Sequence, residues 1–138
     1  MNTGNIGRLS LASGCHLHLV QPFGFELDDK RVKRAGLDYW QHISLHTYAG
    51  IDDFFTVNAG APMAFFSSHG KRSYLEVDYT DGTFLIFGKE SVGLSQNVRE
   101  THADQLFHIP LHSNHVRSLN LANAVSIVVY EGLRNLSL

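Results

Sequence analysis

Three polar segments, the first two of them glycine-bearing, hold the residues whose types and spacing could do chemistry: Asn2-Thr-Gly-Asn-Ile-Gly-Arg8, Phe87-Gly-Lys-Glu-Ser-Val-Gly-Leu94 and Arg117-Ser-Leu-Asn-Leu-Ala-Asn123. Each lies beside an apolar run, the layout that a binding surface built from loops at strand ends requires. In Phe84-Leu-Ile-Phe-Gly88 an apolar strand closes on a glycine. Glycine at a strand end permits positive φ and close approach of a ligand to bare backbone. Open α/β sheets bind ligands at the carboxyl ends of their strands. Taken alone, Gly88-x-x-x-x-Gly93 is equally a turn that needs glycines. It is not a phosphate-binding P-loop, because no Lys-Ser/Thr pair follows the second glycine, and no Gly-x-Gly-x-x-Gly marks a dinucleotide site. The segment Phe107 to Ala122 repeats the pattern: a strand, Pro110, a polar loop and a helix start. There Ser118 could N-cap the helix and turn a hydroxyl and backbone N–H groups toward a ligand.

The remaining chemistry-bearing residues point to less. Among nine histidines, His16-x-His18 and His112-x-x-His115 have conceivable ligand spacing. Zinc sites need three or four ligands, and no cysteine or acidic cluster completes either pair, so no metal is expected. The single cysteine, Cys15, excludes an internal disulfide and suits a reducing, cytoplasmic setting. Its place between a helix and a strand predicts a buried, inert thiol. A net charge of −2 and a pI near 6.5 argue against a general polyanion binder. Lys30, Arg31, Lys33 and Arg34 nevertheless crowd into five positions. They read as a solvated helix face balanced by Asp28 and Asp29, or as a local phosphate-contacting patch if the partner is nucleic acid.

The elements that must position these groups alternate between strand and helix. A chain of 138 residues, 43% hydrophobic and 17% charged, predicts one globular domain. No apolar run approaches the ~20 residues of a membrane span, and no signal peptide is expected. Helices are predicted at Asn5–Ala12 (with Gly14 as C-cap), from Asp28 or Asp29 through Ala35, at Ile51–Val57, as a turn at Leu94–Arg99, and at Asn120–Leu136. Strands are predicted at His16–Val20, His42–Leu45, Pro62–Ser67, Thr83–Phe87 and Leu106–Ile109. The runs at Pro62–Ser67 and Thr83–Phe87 suit strands buried on both faces. In the last helix Ile127 widens the apolar stripe, which fits either a dimer interface or deep docking into its own domain. The order gives an α/β fold with a mainly parallel sheet.

The three segments resemble, in order and in character, the signature motifs of the SPOUT (α/β-knot) RNA methyltransferases. Asn2 to Arg8 is similar to the first motif, Phe87 to Leu94 to the second, and Ile109-Pro110 with Arg117 to Asn123 to the third. Leu27 to Trp40 resembles the small single-domain branch that 2′-O-methylates the wobble nucleotide of tRNA. The likeness runs from Asn2 to about Leu136. It implies helices on both faces of the sheet, a C-terminal deep trefoil knot, a homodimer, and S-adenosylmethionine as cofactor. By motif position, cofactor contacts would fall at Phe66, Gly88, Ile109 and Ser118, and catalytic positions at Asn2, Arg8, Glu90 and Asn120. Arg8, Lys30, Arg31, Lys33, Arg34 and Arg117 would face RNA, with His69 and His115 near the crevice.

The activity so implied is methyl transfer to the ribose 2′-OH of cytidine or modified uridine 34 of tRNA. A guanidinium, with a pKa above ~12, is a poor general base. Arg8 is therefore expected to bind a phosphate and orient the ribose, which leaves the proton acceptor open. Members of the branch begin with an apolar strand ahead of Asn-Thr-Gly-Asn, and this sequence starts at the following loop. Residues 1–138 are thus expected to form one domain without the family's first strand. The alternatives are a non-catalytic RNA- or cofactor-binding knot protein, or a 2′-O-methyltransferase acting on another RNA.

Overall fold

The structure, a computed structural model, describes residues 2–21, 38–90 and 92–137. Lys30, Arg31, Lys33 and Arg34, with the helix predicted over them, lie outside the described residues. The chain divides into two compact units, Met1–Gly60 and Ala61–Leu138.

In the first unit, helix α1 (Asn2–Ser13) turns a stripe of small residues inward: Gly4, Gly7 and Ser10 are buried at helical spacing. The stripe admits an aromatic ring. A Cβ on Gly7 would stand 2.6 Å from Trp40 Cζ3 and 3.0 Å from Ile43 Cδ1. Glycine is a poor helix former, yet packing requires it here. Gly14, at φ +78, ends the helix as the sequence predicts. Cys15 is half-buried, not buried, because it lies on the short link to the next strand.

Strand β1 (Leu17–Val20) pairs in parallel with β2 (Leu45–Tyr48), Leu17 opposite Leu45. The predicted strand at His42–Leu45 is therefore displaced toward the C-terminus. His42 instead closes a 3-10 turn (Asp38–His42), and the Ile43 N–H donates to Trp40 O at 3.2 Å. Helix α2 (Ile51–Val57) falls where predicted, with Asp52 and Asp53 at its positive end and Phe54 buried.

The second unit contains β3 (Met63–Phe66), β4 (Arg72–Ser73), β5 (Phe84–Phe87), α3 (Gln96–Thr101), β6 (Leu106–His108) and α4 (Leu121–Asn135). Its sheet has the order β4-β6-β3-β5, and every pairing is parallel. Alternation along β3 sets the core. Ala64 and Phe66 join Val77, Tyr79, Phe107 and Val128 of α4 on one face. Phe65, 0% exposed, points the other way and stacks on His102, the C-cap of α3, with ring centroids 4.3 Å apart. Burial on both faces thus holds for β3. It does not hold for β5, whose four residues are half-buried at the sheet edge.

Strand β4 carries no apolar pattern. It pairs with β6 at Arg72–Phe107, and the Arg72 guanidinium lies 4.8 Å over the Phe107 ring. Helix α3 starts at Gln96, two residues beyond the predicted start, because the Ser95 hydroxyl caps it by accepting from the Val98 N–H. Helix α4 is capped by Asn120, not Ser118: Asn120 Oδ1 accepts from the Asn123 N–H at 3.3 Å. Ala122, Val125, Val128, Val129 and Gly132 form its buried face, while Ile127 and Tyr130 are exposed. Among the described residues no helix is long and apolar enough to cross a membrane.

Candidate functional site

Strands β5 and β6 lie on opposite sides of β3, so the chain reverses its direction of travel across the sheet at this point. Such a reversal leaves a crevice beyond the carboxyl ends of the strands. A cavity of about 280 Å³ opens there. Phe66, Phe87, Ile109, Leu119 and Leu121 give it apolar walls. Ser67, His69, Lys89, Glu90, Arg117 and Ser118 supply its polar groups.

The loop after β5 is folded tightly on itself. Gly93, at φ +69, donates its N–H to Lys89 O at 2.7 Å, and these two residues form an isolated antiparallel bridge. A Cβ on Gly88 would stand 2.0 Å from Gly93 C and 2.2 Å from Leu94 N. Both are backbone atoms that no side-chain rotation can clear, so only glycine allows this wall to form. Val92, 76% exposed, projects from the loop at the cavity.

The fold brings six of the predicted site residues to one cavity: Phe66, Gly88, Glu90, Ile109, Arg117 and Ser118. Asn120 does not line it, because its side chain is spent on capping α4. His115 does not line it either, whereas His69 does. Arg8 is exposed on α1 in the first unit, where Asn2 begins the same helix. Spacing alone missed Ser67, Lys89, Val92 and Leu119. The available signal was position: each follows within a few residues of an apolar strand or precedes the last helix.

The histidines of the first unit form a ladder of their own. His18 and His46, opposite one another on β1 and β2, stack with centroids 4.4 Å apart, and His18 Nδ1 shares a hydrogen bond with Tyr48 Oη at 2.8 Å. Burial, then the neighbouring His46 and His16, lower the His18 pKa to about 4. Among the described residues no group of three or more histidine, cysteine or acidic side chains is placed to hold a metal ion.

A slot with apolar walls, bare backbone and cationic groups, set at a sheet reversal, suits a nucleoside-like ligand. The profile of the SpoU rRNA Methylase family matches residues 1–130. The chain belongs to the SpoU rRNA methylase family. Within this family it is 44% identical, over 98% of its own length and 88% of the relative's, to the tRNA (cytidine(34)-2'-O)-methyltransferase of Saccharophagus degradans. A solved structure described as "Structural insights into the 2-OH methylation of C/U34 on tRNA" superposes with a TM-score of 0.90 at 40% identity, covering 99% of this chain and 88% of that one. The SpoU methyltransferase AviRb of Streptomyces viridochromogenes, solved in complex with AdoMet, superposes with a TM-score of 0.77 at 28% identity, covering 99% of this chain and 56% of that one.

Proposed function

We propose that this SpoU-family chain transfers a methyl group from S-adenosylmethionine to the ribose 2′-OH of the wobble nucleotide, cytidine or modified uridine 34, of tRNA. The observation that carries the reading is the convergence of Phe66, Gly88, Ile109 and Ser118 on one slot at the sheet reversal. Their partners in sequence are far apart, and the fold alone unites them. The lining fits the cofactor. Phe66, Ile109 and Leu119 offer flat apolar contact to a purine, the Gly88 backbone lets it approach closely, and Ser67, Ser118 and Arg117 suit a polar, carboxylate-bearing tail. When bound, the cofactor supplies a methyl group activated by its sulfonium centre.

The chain's own work is alignment. Arg8 binds a substrate phosphate and orients the ribose, and Asn2, Glu90 and Asn120 hold the neighbouring motif positions. Arg117, with Lys30, Arg31, Lys33 and Arg34, contacts the RNA backbone. Residues 1–138 act as one catalytic domain whose C-terminal segment forms the knot. Two copies pair in the cytoplasm through the outward side of α4, a reading supported by the exposed Ile127 and Tyr130. Methyl transfer to unmodified tRNA, followed by nucleoside mapping, tests the function. Arg8→Ala abolishes transfer and leaves S-adenosylhomocysteine affinity within about twofold of wild type, because a group that orients only substrate contributes nothing to cofactor binding. Equal loss of both contradicts that role.

A further inference from the structure

We propose that the imidazole of His69 accepts the proton that the ribose 2′-OH releases on methylation; the proposal rests on the methyltransferase reading above. As the sugar oxygen forms its bond to the methyl carbon, the carbon–sulfur bond breaks and its electron pair stays on sulfur. The hydroxyl proton must then go to a group within reach. Arg117 and Lys89 line the slot but are cationic at neutral pH and have no lone pair to give. Serine hydroxyls are no more basic than the sugar. Glu90 and His69 are what the lining leaves. A general base works best when its pKa lies near the operating pH, and imidazole is the side chain whose ordinary value does. A carboxylate, ordinarily near about 4.3, holds a proton too weakly to match it.

The backbone beneath His69 is fixed. The Ser67 N–H donates to Phe107 O at 2.9 Å, anchoring the turn to β6. Ser67 Oγ accepts from the His69 N–H at 3.1 Å, and Ser67 O accepts from the Gly70 N–H at 3.0 Å. Gly70 is pressed so closely on β6 that a Cβ would stand 2.5 Å from Phe107 C. These contacts fix the point from which the exposed His69 side chain leaves the backbone at the cavity rim. Its ring makes no hydrogen bond among the described residues, so a nitrogen lone pair is open to the substrate. The proton passes from the imidazolium to water, which restores the base.

The test compares the full-length protein with His69→Gln and Glu90→Gln in single-turnover transfer to unmodified tRNA across about pH 5.5 to 8.5, the range in which imidazole titrates. In parallel, ring nitrogen shifts of His69 are recorded by NMR with S-adenosylhomocysteine and an anticodon stem-loop bearing ribose or 2′-deoxyribose at the wobble position. His69→Gln is expected to slow transfer by about 10²–10⁴-fold and to remove the acid limb of the pH profile, with binding of cofactor product and tRNA changed less than about twofold. The ring shifts are expected to differ between the two stem-loops. Wild-type rates in His69→Gln, loss of the acid limb in Glu90→Gln alone, or identical ring shifts would each overturn the assignment. Absence of transfer by the wild type, with S-adenosylhomocysteine bound, would bring down the methyltransferase reading and the role of His69 with it.

Discussion

Replacing Gly88 with alanine tests how the slot is built. The added Cβ would lie 2.0 Å from Gly93 C and 2.2 Å from Leu94 N. Ordinary carbon contact begins near about 3.4 Å, so the two sides of the turn must part by about 1.4 Å. The 2.7 Å hydrogen bond from Gly93 to Lys89 closes this turn and is the first to be strained. Overpacking against immovable atoms costs about 1–3 kcal/mol, which lowers the melting temperature by about 3–12 °C at this chain length. If the loop relaxes by swinging outward, the same energy reappears as a displaced wall. S-adenosylhomocysteine affinity, measured by calorimetry, then falls by about 5- to 150-fold. Gly82→Ala is the control. Gly82 has φ +92 and nothing within 4 Å of its added Cβ, so it carries only backbone strain of about 1–2 kcal/mol and binds the ligand as wild type does. A Gly88→Ala protein with wild-type melting and wild-type affinity would refute the reasoning.

Two further outcomes concern stability. Phe65→Ala empties a fully buried position in β3 and is expected to cost about 3–5 kcal/mol in chemical denaturation; a loss under about 1 kcal/mol would mean the site collapses around the void. The pH dependence follows from His18. Its folded pKa, lowered to about 4 chiefly by burial, lies below the ordinary 6.5, so the folded chain binds this proton more weakly than the unfolded one. The contribution of neutral His18 is complete above about pH 6.5 and is lost as pH falls toward 4. Urea midpoints between pH 8 and 4 should fall more steeply for wild type than for His18→Gln, and parallel curves would contradict the sign.

Most of the second unit was legible because burial writes itself into composition. The runs over β3 and β5 could bury little else, and the spacing of Val125, Val128 and Val129 marked the inner face of α4. The failures occur where tertiary pairing outvotes local pattern. His42 to Leu45 alternates as a strand should, yet β2 begins only where Leu45 meets Leu17. Strand β4 exists because β6 offers an edge at Phe107, which Arg72 and Ser73 cannot announce. Ser118 and Asn120 are both good caps two residues apart, and only the geometry of the helix start chose Asn120. Gly7, unfavourable in a helix by propensity alone, is the seat of an indole, which only the tertiary packing reveals. Spacing could not say that Phe66, Gly88, Ile109 and Ser118 converge; that expectation came from likeness to a family.

The slot takes its walls from residues as far apart as Phe66 and Ala124. Synthesis runs from the N-terminus and domains fold as units, so a growing chain cannot close this slot until the segment through Ala124 has left the ribosome. Closure of the slot thereby waits for the start of α4. A polypeptide truncated after β5 would carry Phe66 but lack Gly88, Ile109 and Ser118, and with them any closed pocket.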